Sequence, residues 1–162
     1  MILGIDPGLT GALALVDPTG APLIVEDLPT VQRGHGRGRV RRELDGAGLS
    51  HLLGIHAPEI TLALVEHVAS RPGQGVASVF SLGHSLGCIH GVLSALGIPW
   101  EPVTPTAWKR AAGLGKDKEA ARATAARLFP SIPLHRKRDH NQAEALLIAR
   151  HGLSRVPFVP PS

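Results

Sequence analysis

The chain has 162 residues, 43% hydrophobic and 19% charged, which fits one globular domain with a real core. The single cysteine, Cys88, excludes an intrachain disulfide framework, and the absence of Cys/His pairs at zinc spacing argues against a structural zinc. A net charge of +4 and a pI near 10.0 favour a polyanionic partner. No apolar run is read as long enough to span a bilayer, and MILGIDPG turns polar too early for a secretory signal. The expected setting is therefore a reducing cytoplasm, with no membrane partner.

In chain order, residues 2–6 (ILGID) and 11–16 (GALALV) read as strands around a PGLTG turn, and 22–27 (PLIVED) as a third beyond the DPTG turn. Tight turns between all three imply antiparallel pairing. Residues 33–42 hold Arg33, Arg37, Arg39, Arg41 and Arg42 among glycines, break any period, and are expected to form a loop. A helix is expected over 43–56. Residues 61–66 (TLALVE) are nearly all apolar, as in a strand buried on both faces. A long helix is predicted over 76–96 and a short strand over 100–103. Thr104-Pro105 is a helix cap followed by proline at the first helical position. Helices follow over 106–111, 117–128 and from about 139–141 to 151, and the proline-rich end from 153 is expected to be loose. This order predicts an α/β, ribonuclease H-like domain over 1–152. It has a mixed five-stranded sheet, antiparallel in its first three strands, with helices on both faces.

The acids fall at telling places. Asp6 ends the first strand, Glu66 ends the fourth, and Asp139 and Glu144 lie at the start of the last helix. If the first and fourth strands are neighbours, Asp6 and Glu66 stand side by side, and a helix packed there adds Asp139 or Glu144. Carboxylates brought together repel, and a hard divalent cation removes the conflict. Two such ions can clamp a phosphodiester, which points to a nucleic-acid backbone as substrate. Each acid also has a plain structural role open to it: Asp6 as a turn initiator, Asp139 as a helix cap, Glu144 as a partner of the helix dipole.

With these residues in view, ILGIDPGLTGALALV resembles the first strand pair of the RuvC-type Holliday-junction resolvases. LALVEHV resembles their second acidic strand and VFSLGHSLGCIHGVL their long central helix. WEPVTPTAWKRAAGLGKDKEAA resembles the strand and basic helix that follow, and RDHNQAEALLIARHG the terminal acidic helix. The resemblance implies a homodimeric endonuclease that nicks four-way junction DNA symmetrically, with two Mg²⁺ or Mn²⁺ ions per site. It acts in recombination and repair, alongside branch-migration proteins, in a bacterial or phage setting. By position it implies Asp6, Glu66 and Glu144 as metal ligands. For the fourth, known members carry an acid one turn before the last one, where this chain has Asn141. Here the acid is Asp139 with His140 beside it, so Asp139, Asn141 and His140 are the candidates to complete the set, and His140 is also a candidate for a water-orienting or general-base role. Five residues at 100° separate Asp139 and Glu144 by about 140°, so Asp139 must sit at or before the helix cap to reach the same ions.

DNA contacts are expected from Arg71 beside the second acid, from Lys109, Arg110, Lys116 and Lys118 around the third helix, and from Arg136, Lys137 and Arg138 beside the last acids. The loop after Glu66 lacks the aromatic wedge of some members, and Phe80 is expected to pack in the core. Gly83, Gly87 and Gly91 repeat on one face of the central helix. They imply close packing, either within the chain or across a dimer axis. Other readings stay open: a ribonuclease H-like nuclease acting on RNA or RNA–DNA hybrids, and a non-catalytic junction-binding module. The first segment also resembles the phosphate hairpin of actin-like kinases, but the second domain those need is absent from this sequence.

Overall fold

The structure, a computed structural model, describes residues 1–35, 39–69, 73–115 and 118–156; the side chains at 35, 39, 118 and 137 fall outside that description. Its elements are β1 (Ile2–Asp6), β2 (Ala12–Val16), β3 (Pro22–Asp27), β4 (Thr30–His35), β5 (Arg39–Leu44), α1 (Gly46–Gly54), β6 (Leu62–Glu66), α2 (Val76–Ala95), β7 (Trp100–Val103), α3 (Pro105–Ala111), α4 (Lys118–Leu128) and α5 (His140–Leu153). Short 3₁₀ turns cover Ala57–Glu59 and Lys137–Asp139. The last six residues lie outside the described part, and with them most of the expected tail.

The main sheet runs β3-β2-β1-β6-β7. β1–β2 and β2–β3 are antiparallel, while β1–β6 and β6–β7 are parallel, as the strand order in the sequence implies. The DPTG turn is held by Asp17, whose Oδ1 accepts from the Thr19 amide, the Thr19 hydroxyl and the Ala21 amide. These bonds hold the Asp17 carboxyl below its ordinary range; the Thr19 hydroxyl contributes most.

Of the stretch expected to be a loop, residues 33–35 and 39–42 are strand, and 36–38, Arg37 among them, lie outside the described residues. β4 and β5 pair antiparallel from Thr30↔Leu44 to His35↔Arg39, forming a two-stranded sheet apart from the main one. The ribbon is polar on both faces, so the apolar alternation that marks a half-buried strand never appears. β5 also takes up Glu43 and Leu44, and α1 starts later than expected, capped by Asp45, whose side chain accepts from the Ala47 amide at 3.2 Å.

Strand alternation sorts the core into two layers. Leu3, Ile5, Leu13, Leu15, Ala63 and Val65 pack with Leu49 and Leu53 of α1 and Ile89 and Leu93 of α2. Ile2, Ala12, Ala14, Val16, Leu62 and Leu64 pack on the opposite face with Trp108 of α3, Ala121 and Ala125 of α4, and the apolar run of α5. Gly4 and Gly152 let α5 lie close. A Cβ at Gly4 would collide with the backbone of Ala145 and Ala149, and one at Gly152 with the Ile2 side chain.

On the other face, α2 is 20 residues long with a mean hydropathy of 1.4, enough by length and composition to cross a bilayer. That corrects the composition reading, which missed it because His84, Ser85 and His90 interrupt the apolar residues. In the fold, Ser85, Ile89 and Leu93 form its buried side.

Candidate active site

Parity decides where the strand acids go. Asp6 is even-numbered like Ile2 and Gly4, and Glu66 like Leu62 and Leu64, so both lie on the α5 face. β1 and β6 pair in register through Ile5↔Val65, and the two acids follow one residue later on neighbouring strands. Asp6 is 9% exposed and Glu66 8%. Carboxylates withdrawn this far from water need charged or hydrogen-bonding partners to stay ionised.

The third acid comes from α5. Glu144 is 8% exposed, and Lys109 Nζ lies 3.6 Å from its Oε1. The preceding residue, Trp108, is fully buried, and its indole Nε1 donates to Glu66 Oε1 at 2.9 Å. Two consecutive residues of α3 thus hold two acids from different elements, and the Lys109 ammonium lies 5.0 Å from the Trp108 ring centroid. α3 is fixed by its cap: Thr104 Oγ1 accepts from the Ala107 amide at 3.3 Å, ahead of Pro105. Trp108 was not singled out in the sequence. Its signal is an aromatic four residues past a Thr-Pro cap, with a lysine beside it.

Asp139 behaves differently. It sits at the N-cap of α5, as the 140° offset requires, and is 2% exposed. Its carboxylate closes on Arg136, accepting from the backbone amide at 2.7 Å and from Nε at 3.0 Å, with Nη2 also 3.0 Å away. Burial pushes its carboxyl up. The Arg136 hydrogen bonds and the Arg136 and Arg138 charges outweigh that and hold it below the ordinary carboxylate range. His140 opens α5, and Asn141 Nδ2 donates to the Thr10 carbonyl in the turn after Asp6. Gln142 Nε2 reaches Asp27 Oδ1 at 2.7 Å.

Among the described residues, no group of three or more His, Cys, Asp or Glu side chains is close enough to form a metal set. Carboxylate oxygens are the donor type that hard divalent cations take; Asp6 and Glu66 lie on the sheet face that α5 covers, Glu144 lies on α5 itself, and two of the three are engaged by donors of α3. Asp139 fits less well, because Arg136 already satisfies it.

Of the other expected DNA contacts, Arg110 and Arg138 are exposed, Lys109 turns inward to Glu144, and Arg136 is shared with Asp139. Arg71 and Lys116 lie outside the described residues, as do the side chains of Lys118 and Lys137. Phe80 is not in the core. It is 69% exposed and lines a small pocket with Leu9, Arg41, Arg42 and His84. At the start of α2 the buried side begins only at Ser85, ahead of which Phe80 is left exposed beside β5.

No protein-family model and no curated protein matches this chain. Its backbone does match a solved structure described as T. thermophilus RuvC in complex with Holliday junction substrate. The TM-score is 0.66 at 19% identity, covering 93% of this chain and 90% of that one. This chain has the RuvC fold. A second structure of Thermus thermophilus RuvC matches with a TM-score of 0.49 at 21% identity, over 93% of this chain and 91% of that one. The five-stranded sheet and flanking helices are therefore the ribonuclease H-like arrangement expected from the strand order.

Proposed function

We propose that this chain is a structure-selective endonuclease that resolves four-way DNA junctions by metal-dependent phosphodiester hydrolysis. The observation that carries the reading is the placement of Asp6, Glu66 and Glu144 on one face of a RuvC fold whose solved counterpart is described with a Holliday junction. Asp6, Glu66 and Glu144 would hold Mg²⁺ or Mn²⁺, with Asp139 joining only if Arg136 releases it. The metal would supply polarisation of the scissile phosphate and activation of water. Trp108 orients Glu66 through its indole N–H, and Lys109 balances Glu144 and offers a cation where phosphate charge would arrive. His140, at the first position of α5, remains the candidate for orienting water.

The glycines of α2 support a homodimer. Among the described residues, a Cβ at Gly83, Gly87 or Gly91 would meet nothing within 4 Å, so these glycines do not serve close packing against them. An isologous contact along this face would give two sites related by a two-fold axis, as paired nicks on opposed strands require.

The test is incubation of the purified chain with an end-labelled four-way junction and Mn²⁺, beside Asp6→Asn and Glu66→Gln. Symmetric nicks are expected from the wild type, and none above background from either variant. Junction binding without metal-dependent cutting would leave only a binding module. Preferential cutting of RNA–DNA hybrids would move the activity to the other ribonuclease H-like class.

A further inference from the structure

The β4–β5 ribbon has a role that neither the fold nor the acid site explains. Among the described residues its strands pair only with each other. The register sets Arg33 directly opposite Arg41, and Gln32 opposite Arg42. Like charges facing each other across a ladder cost stability, so an unliganded ribbon gains nothing from this arrangement. Glu43 relieves part of the repulsion, with Arg33 Nε 3.6 Å from Glu43 Oε2, yet the Arg33 side chain is 65% exposed. Arg41 and Arg42 are exposed, and Val40 beside them is 61% exposed.

The ribbon is anchored at its base, toward the acids. Leu44 is buried, the Asp45 amide donates to the Pro29 carbonyl at 2.8 Å, and Arg42 Nη2 donates to the Leu9 carbonyl at 2.7 Å. Leu9 belongs to the turn that leaves Asp6. Arg41 and Arg42 line a pocket with that same Leu9, next to His84. Guanidinium groups therefore stand on both faces of the ribbon, Arg33 and Arg41 on one and Arg42 on the other, and Arg42 reaches the turn beside the candidate active site.

We propose that this ribbon is a DNA-backbone arm, which holds the phosphates of a duplex segment as it passes the acidic site. The inference rests on the reading above that the substrate is DNA. Guanidinium groups bind phosphate oxygens in bidentate fashion and are always charged. A two-stranded ribbon is also narrow enough for a major groove roughly 12 Å wide. Bound phosphate would relieve the Arg33–Arg41 repulsion, so the strain of the isolated ribbon becomes affinity for a polyanion.

The experiment compares wild type with the Arg33→Gln/Arg41→Gln double variant in the full chain. Arg42 is left intact because it tethers the turn. Fluorescence anisotropy follows binding to a linear duplex and to a four-way junction over a range of NaCl, with Ca²⁺ in place of Mg²⁺. Each lost phosphate contact lowers the salt slope by about 0.9, so the variant is expected to lose nearly 2. Binding at low salt is expected to weaken several-fold on both DNAs, and Arg33→Lys/Arg41→Lys to recover most of the slope. Thermal unfolding of the double variant is expected to match wild type or improve on it, since the substitutions remove a repulsion.

Equal salt slopes for wild type and double variant would overturn the arm, as would a wild type that binds neither DNA. A wild type that binds duplex and junction alike and, once Mn²⁺ replaces Ca²⁺, cuts neither would instead defeat the resolvase reading, while the slope difference would still decide the ribbon.

Discussion

Two helices flank the sheet, and they are built on opposite principles. α5 is buried almost continuously from Ala143 to Ala149 and again at Gly152, and its close approach depends on glycines that leave no room for a side chain. α2 is longer, yet only three of its residues are buried, and its glycines face open space. Both are apolar and both carry glycine. The difference lies in what the glycine confronts: a strand of the same chain for α5, and no described residue for α2. Apolar content alone cannot separate a helix made for the core from one made for a partner, but the steric surroundings of its small residues can.

The comparison breaks most sharply at the strand under α5. Gly4→Val should force α5 off β1 and cost about 3 kcal/mol, the upper range for overpacking, read from the urea midpoint. An unchanged midpoint would mean that α5 is not seated as described. Next in size, Trp108→Phe keeps a ring in the core but leaves Glu66 without its indole donor. A hydrogen bond to a charged group is worth about 1.5–3 kcal/mol, and that loss is expected in urea titrations. Trp108→Phe should also slow nicking, whereas a merely packing tryptophan would lower stability alone.

On the other side, Gly87→Ala should stabilise the isolated α2 by up to about 1 kcal/mol through helix propensity. If α2 pairs across a two-fold axis, the same substitution weakens the dimer, and sedimentation velocity should shift toward monomer. A more stable dimer would refute the pairing.

The smallest effect concerns pH. Burial first, and then the Arg155 charge, lower the His151 pKa from its ordinary value near 6.5, and its Nδ1 is buried without a hydrogen-bond partner. The folded state therefore favours the neutral ring. This contribution is complete above the unfolded pKa and is lost as pH falls below it, because the unfolded chain takes up the proton first. His151→Gln should flatten the decline in unfolding free energy between about pH 7.5 and 5.

Much of this was legible beforehand. Strand order, the antiparallel start of the sheet and the Thr104 cap follow from local pattern, and the placement of Asp6 and Glu66 from strand ends. Three features were not. The β4–β5 ribbon is held by cross-strand pairing rather than by an apolar face, so periodicity cannot see it. Phe80 was assigned to the core because aromatic residues usually go there, whereas the rotation of α2 turns it outward. The capture of Asp139 by Arg136 depends on a single 3₁₀ turn, a local geometry that residue types alone do not specify.

The side-chain alternation of β6 has a consequence for how such a chain can vary over time. Leu62, Leu64 and Glu66 face α5 only because they are spaced in twos from a fixed pairing with β1. Exchange of one aliphatic residue for another there would shift packing slightly. Adding or deleting a single residue in the strand would turn the acid to the opposite side of the sheet, among Leu49 and Ile89. Drift in this segment is thus open to substitution and closed to changes of length.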